Sequence, residues 1–443
     1  MSLLTIICGI HGALFLSAHL VLIGGLIKES RLKPVGGTGD RGVDSGQWTV
    51  DSIRSGREPS TNADNTVSTD ISDKNLPTTH YPLPTNTYPL PLVSIIIPAR
   101  NEAERLHGLL ESLAQQTYPN VEYVFINDRS EDATLSMLEE FAAKMREERG
   151  QTTVILNLTE NPGPNRKQYA LIEGIERTGG DFLLFTDADC VVPPAWVENM
   201  TRLMLDDSRR GVIIAPVFKK SIDSSFLSTY QCLDHAVRCV YLVGTTGFGA
   251  GFCGFGNNMA LRKAALDEAG GYRSVPWSLT EDAALISHIR AKTHYTVEAA
   301  PLPGLFVLTE SEPSWKALTN QTLRWNNGAL WSRDIRTRFS YNYLMYTVLI
   351  GLLAVPVGLL WKPAFLFAAA GSVSVIVLMN ICALVLFGKA LPRNRFAYIP
   401  EILVMPFYFS YLTIMGAFGI IPVWKGNKTH GGNLSKTKSV PPK

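Results

Sequence analysis

The chain has 443 residues, enough for two or three domains. Its 41 basic and 39 acidic residues leave a net charge of +2, without the basic excess of a dedicated nucleic-acid binder. Six cysteines in this length exclude a disulfide scaffold. Charged residues make up 18% of the chain, against about 25% in an ordinary soluble protein. The deficit is local. Residues 1–27, 340–388 and 396–424 hold only two charges, Lys362 and Glu401. The remainder is charged like a soluble protein, so membrane segments dilute a normal domain.

The first charge-free run, 1–27, is long enough to span a bilayer as a helix. It lacks the basic start and small-residue cleavage site of a signal peptide, so it reads as an uncleaved anchor. His11 and His19 within it read as neutral imidazoles near the interface. Residues 34–91 are rich in Gly, Ser, Thr, Asn, Asp and Pro with isolated apolar residues, the composition of a disordered linker.

From Leu92 the pattern alternates. Val93–Pro98 predicts a buried strand, Glu102–Gln115 a helix, Val121–Ile126 a strand and Asp132–Arg149 a charged helix. Val154–Leu158, Asn165–Thr178 and Asp181–Thr186 continue as strand, helix and strand. This is the βαβ signature of an α/β domain over 92–339, with a parallel sheet covered on both faces. At the other end, apolar runs at about 343–361, 364–388 and 398–424 predict two to three membrane segments within 340–424. The last contains Pro400, Pro406 and Pro422, which leaves a re-entrant or interfacial path open. A basic polar tail, 425–443, follows. Lys28, Arg31 and Lys33, and Arg333, Arg336 and Arg338, flank the central region and place it in the cytoplasm. Lysines and arginines on both sides of the last run leave the side of the tail open.

Ligands of open α/β sheets bind beyond the carboxyl ends of the strands. Acidic residues end three of the four predicted strands: Glu102 after the first, Asp128 after the second, Asp187 and Asp189 after the fourth. An Asp-X-Asp turn after a buried strand can hold Mg²⁺ or Mn²⁺, hard cations that take oxygen ligands. Helix capping by Asp187 is the plainer reading of the same turn. Thr280-Glu281-Asp282 opens a helix, with Thr280 at the N-cap position and the acids suited to the helix dipole. A carboxylate there can also serve as general base if it reaches an acceptor hydroxyl. Gln321-Thr322-Leu323-Arg324-Trp325 follows on a helix near the membrane; Arg324 suits a diphosphate and Trp325 a sugar face or the interface. Gly249–Gly254 matches G-x-G-x-x-G but lies mid-domain, where a dinucleotide fingerprint does not belong; a close-packed loop fits better. There is no Walker A loop, G-x-S-x-G, H-E-x-x-H or C-x-x-C. Cys190, Cys232 and Cys239 read as buried structural thiols.

These elements together resemble the membrane-bound family 2 glycosyltransferases. The resemblance covers Val93–Glu102, Asn127–Asp132, Asn165–Leu171, Asp187-Ala188-Asp189, Thr280-Glu281-Asp282 and Gln321-X-X-Arg324-Trp325, in the family's order. It implies a GT-A nucleotide-sugar domain with one N-terminal and two to three C-terminal transmembrane helices, in a bacterial inner membrane. It implies that Glu102 and Asp128 hold the nucleoside, typically uridine, and that Lys167 lies by the base or diphosphate. Asp187 would contact the nucleotide-sugar, with Asp189 binding the divalent metal. Asp282, beside Glu281, would deprotonate the acceptor, and Gln321, Arg324 and Trp325 would close over diphosphate and acceptor in a single inverting displacement. Asn165-Arg166-Lys167 departs from the Gly-Lys that the family often carries. The expected partners are a nucleotide-sugar donor, a lipid or glycan acceptor and the membrane. A processive polysaccharide synthase, a non-catalytic nucleotide-sugar binder and a transporter are the alternatives; partner subunits are not specified by the sequence.

Overall fold

The computed structural model describes residues 89–430 apart from 222, 248–253 and 331–333. The predicted anchor 1–27, the linker 34–91 as far as residue 88, the glycine run from 248 to 253 and most of the tail lie outside the described residues.

The first half of the domain follows its hydrophobic pattern. Strands β1 (Val93–Ala99), β2 (Val121–Asn127), β3 (Thr152–Asn157) and β4 (Phe182–Phe185) alternate with helices α1 (Leu106–Ala114), α2 (Thr134–Arg149) and α3 (Arg166–Ile175). The strands pair in parallel. Val93, Ile95 and Ile97 enter one core, with Tyr123 and Phe125 of β2. Ile96, Val124 and Ile126 enter the other. Both faces are therefore apolar, as a helix-covered parallel sheet requires.

The second half is mixed. After β5 (Cys190–Val191), α4 (Trp196–Asp206), β6 (Arg210–Ile214) and β7 (Val217–Lys220) comes a long helix, α5 (Phe226–Gly247). Then follow β8 (Met259–Arg262), α6 (Lys263–Glu268), α7 (Glu281–Lys292), β9 (Thr296–Ala299), β10 (Val307–Glu310) and α8 (Trp315–Leu330). The main sheet has the order β3-β2-β1-β4-β8-β6-β9, and β5-β10-β7 form a small second sheet. Strand β8 runs antiparallel between β4 and β6. The sheet is thus parallel-rich rather than wholly parallel as the sequence reading expected.

Helices α9 (Ile335–Leu360), α10 (Leu366–Phe387) and α11 (Ile399–His430) end the chain. The last is continuous, without the break that a re-entrant path needs. Pro400 falls in its first turn, where a missing N–H costs nothing. Two segments, Pro363–Ala390 and Arg395–Met415, are long and apolar enough to cross a membrane; Tyr346–Leu360 is a shorter apolar stretch. Their outward residues are apolar and bare, among them Leu360, Phe367 and Phe407. Inward, Val348, Val375, Met379 and Met405 share one core with Leu233, Val237 and Val240 of α5. Helix α5 is therefore the seat on which the C-terminal helices rest.

Candidate active site

The site begins where β1 and β2 end. The turn after β1 keeps Glu102 out of the predicted helix: the Glu102 carbonyl accepts from the Arg105 and Leu106 amides, and helix α1 starts only at Leu106. Asn101 and Arg129 both adopt left-handed backbone, with φ of +54° and +56°. Such strain in side-chain-bearing residues persists only where neighbours over-determine it, and it gathers at functional sites. Here the two turns brace each other. Asn101 N–H donates to Ser130 Oγ at 3.0 Å, and Glu131 N–H donates to Asn101 Oδ1 at 2.8 Å. The Glu102 amide donates to Thr134 Oγ1. Asp128 is buried, 2.8 Å from Arg129 Nε. Burial raises the Glu102 carboxyl to about 7; Arg105 opposes the shift, while Asp189 and Asp187 add to it.

Asp187 and Asp189 stand on the turn between β4 and β5. They are not equivalent. Asp187 binds Lys167 Nζ at 2.6 Å and does not act as a helix cap. Asp189 accepts from Thr309 Oγ1 at 3.1 Å and has Cys190 Sγ as a distant second partner. Asp189 makes no salt bridge among the described residues, although the buried Lys219 is near enough to feel its charge; its oxygens are of the donor type that a hard cation takes. Among the described residues no three His, Cys, Asp or Glu side chains gather closely enough to enclose an ion.

The departure at Asn165 proves to be a bracket. Its Oδ1 caps α3 by accepting from the Lys167 and Gln168 amides, while its Nδ2 donates to the Ser278 carbonyl and to Glu281 Oε2 at 3.2 Å. Gln168 reaches the same loop, accepting from the Ser278 amide. Lys167 also lies 3.4 Å from Glu281. Burial works against the Lys167 charge, but Asp187 and Glu281 overcome it and hold the ammonium protonated above its ordinary range. Glu281 is therefore fully engaged.

Its neighbour Asp282 is the carboxylate turned to the cavity. It accepts from the Gly256 amide at 3.1 Å and the Ala283 amide at 2.8 Å. Burial, with Glu281 next, pushes its pKa up to about 7 despite those two bonds. A Cβ on Gly256 would lie 3.0 Å from Asp282 Cβ, so glycine allows this approach. Thr280 occupies the N-cap position without making a capping bond. Its side chain instead packs where a Cβ on Gly328 of α8 would collide. The far end of α7 is tied to the start of α9: Arg290 meets Asp334 at 2.6 Å, and Ser287 and Thr337 donate to the same carboxylate.

The opposite wall comes from α5 and α8. Gln321 Nε2 donates to Glu312 Oε1 at 2.5 Å. Trp325 lies under the Arg238 guanidinium, 5.0 Å from its centroid, and edge-on to His235 at 6.0 Å. Arg324 lines the cavity, as do Glu312, Lys219, His235 and Arg238, which the sequence reading missed. Lys219 is buried and donates to the Glu310 carbonyl at 2.6 Å. All the residues singled out from the sequence, from Glu102 to Trp325, line one cavity of about 770 Å³. The cavity continues past Trp325 between the C-terminal helices, to Val348, Val375, Met379, Phe409, Leu412 and Thr413. Cys190, Cys232 and Cys239 are buried free thiols, as expected.

The profile of glycosyl transferase family 21 matches residues 67–430. The expectation was family 2, to which family 21 is related. A 4,4'-diaponeurosporenoate glycosyltransferase of Staphylococcus haemolyticus is 39% identical over 100 residues, 22% of this chain and 24% of that protein. The poly-beta-1,6-N-acetyl-D-glucosamine synthase of Staphylococcus aureus is 25% identical over 281 residues, 61% of this chain and 64% of that one. The chain spans about half or less of the first curated relatives it matches, namely 44%, 54% and 24% of their lengths. Among solved structures, a mannosyltransferase from Pyrobaculum calidifontis in complex with GDP-Man and Mn2+ aligns with a TM-score of 0.49 at 20% identity, over 79% of this chain and 91% of that one.

Proposed function

The chain belongs to glycosyl transferase family 21, and we propose that it moves a sugar from a nucleotide-sugar, with a uridine nucleotide as first choice, to a lipid or lipid-linked acceptor at a membrane, with inversion. The carrying observation is the single cavity that joins Asp187, Asp189 and Asp282 to apolar side chains of α9, α10 and α11. An acceptor whose reacting hydroxyl must reach Asp282 while its chain stays in hydrocarbon fits that shape. A soluble acceptor has no use for the apolar end.

In this reading the domain is a cytoplasmic GT-A unit. Glu102 and Asp128 hold the nucleoside, and Lys167 and Asp187 hold the sugar diphosphate. Asp189, with Asp187 beside it, would hold Mg²⁺ or Mn²⁺, which neutralises diphosphate charge when bound. Asp282 takes the acceptor proton as the acceptor oxygen bonds to the anomeric carbon and the diphosphate oxygen leaves. Its raised pKa brings it toward working pH, where a base is most effective. Glu281 is held by Asn165 and Lys167 and positions its neighbour. Arg324 meets the leaving charge, and Gln321 and Trp325 close the acceptor side. A processive synthase is the second reading, supported by the length of the match to the poly-N-acetylglucosamine enzyme.

Membranes carrying the protein, incubated with a panel of labelled nucleotide-sugars and Mg²⁺ or Mn²⁺, test both. We expect metal-dependent release of nucleoside diphosphate and one solvent-extractable glycolipid. A ladder or a high polymer sinks the lipid reading.

A further inference from the structure

The connection between α10 and α11, residues 388–398, joins the two segments that are long and apolar enough to cross a membrane. It carries Lys389, Arg393 and Arg395 and no acidic residue. Glu401, the first acid beyond it, is turned inward at 1% exposure and accepts from Thr229 Oγ1 at 2.7 Å. The apolar residues of the same stretch are turned outward. Phe396 is 74% exposed and Ile399 57% exposed, and the Arg395 guanidinium lies 5.8 Å from the Phe396 ring centroid. Large apolar side chains gathered on a surface and rimmed by charge mark an interaction site.

The catalytic domain meets this connection. Arg393 Nη2 donates to the Ser224 carbonyl at 2.7 Å, just before α5. Two residues on, the exposed Phe226 lies 6.2 Å from the ring of Trp315 at the start of α8. Trp315, also exposed, packs 5.3 Å from Tyr408 of α11. The starts of α5 and α8 are thus fastened to the same end of the C-terminal helices as the connection itself. Lys316 stands beside Trp315, and among the described residues Lys316, Lys389 and Arg395 make no salt bridge. Asp223, the exposed acid at this end of α5, accepts from the Ser225 amide at 3.0 Å. Amphipathic rings settle at the headgroup level of a bilayer, and lysines and arginines there meet the negative surface of anionic lipids. A protein partner fits less well, because the patch runs on into the bare apolar faces of α10 and α11 at Val385, Leu386 and Leu403.

We propose that residues 388–398, with the starts of α5 and α8, form a docking surface for the headgroups of anionic phospholipids. Lys389, Arg395 and Lys316 supply the charge contacts, and Phe396, Phe226 and Trp315 the interfacial anchors. The surface rests on the membrane reading above. It sets this connection and the catalytic domain on one side of the bilayer. Helix α10 has 22 residues, enough to span, so its other end, with the exposed Trp361 and Lys362 just before it, faces the opposite leaflet.

The full chain in liposomes of phosphatidylcholine with a rising share of phosphatidylglycerol tests this, read by tryptophan quenching with the brominated form of either lipid. We expect brominated phosphatidylglycerol to quench at the lower mole fraction and Trp315→Phe to remove the difference. One lysine or arginine near an anionic surface is worth about fivefold in affinity. Lys389→Gln combined with Arg395→Gln should therefore raise the phosphatidylglycerol fraction for half-maximal quenching at least severalfold. Lys144→Gln, an exposed position on α2, should leave it unmoved. Near-normal thermal unfolding of the double variant in detergent shows that it folds. Equal quenching by the two lipids, an unmoved midpoint in the double variant, or selectivity that survives Trp315→Phe overturns the surface while the membrane reading stands. Relief of the quenching by inorganic phosphate, beyond chloride of equal ionic strength, assigns the contact to free phosphate and overturns it too. A chain that neither brominated lipid quenches and that carbonate washes from the liposomes overturns the membrane reading and the surface with it.

Discussion

The two walls of the cavity are built on opposite plans. The strand-end rim is crowded with charge, and nearly every charge already has a partner: Lys167 with Asp187 and Glu281, Arg129 with Asp128, Asp282 with two backbone amides. The α5–α8 wall has fewer charges and leaves His235, Gln321 and Thr322 with unmet polar atoms. A charged donor can bind the rim by exchanging partners. The other wall gains its missing bonds only when an occupant arrives. Substitutions on the rim should therefore strike turnover, and those on the wall should strike acceptor affinity.

The largest expected effect is at Asp282. Asp282→Asn should lower turnover by about 10²–10⁴, the range for removal of a general base, while nucleotide binding by titration stays close to normal. Retained turnover would break the division of labour between the walls. Asp189→Ala should abolish activity and remove Mn²⁺-dependent tightening of nucleoside-diphosphate binding together; loss of one without the other refutes the metal assignment. Gly256→Ala comes next. Its new methyl would press on Asp282, and a displaced base should cost about tenfold in kcat with little change in donor KM. The pH profile is a gentler probe. Asp282 acts ionised and its pKa is raised by burial and Glu281, so kcat/KM should climb as pH rises through that shifted value and fall below it. A profile flat from pH 5 to 8 contradicts the assignment. Asn165→Ala should have the smallest effect, about 1 kcal/mol of stability from the lost cap and a severalfold drop in kcat from the released Glu281, read by thermal unfolding and turnover.

The same contrast governs what was legible in the sequence. Strands β1, β2 and β4 are buried on both faces, so continuous runs such as Val93–Ile97 announce them, and the acidic residues at their ends could be placed on a rim; the edge strand β3 is only half-buried. Boundaries slipped where function intervened: Glu102 is held in a turn by its own hydrogen bonds, so α1 starts at Leu106 rather than at Glu102. The second half is written in strands of two to five residues whose spatial order, β4-β8-β6-β9, ignores chain order. No local period encodes that. His235 and Lys219 left no signal, because a lone histidine or lysine becomes a cavity residue only when α5 packs beside β7. Asn165 was visible as a departure from a pattern, but its reach to Ser278 and Glu281, over 100 positions away, was not.

The Arg290–Asp334 pair has a wider consequence. It fastens the helix that carries Asp282 to the entrance of α9, a helix with bare apolar residues farther along. If α9, whose apolar stretch Tyr346–Leu360 is shorter than a span, rests in a bilayer, a change in bilayer thickness would tilt it at modest cost, and this fastening would carry the tilt to the base. Lipid chain length would then act as a rheostat for turnover: the wild-type rate should vary across vesicles of graded acyl length, and Asp334→Asn should flatten that dependence.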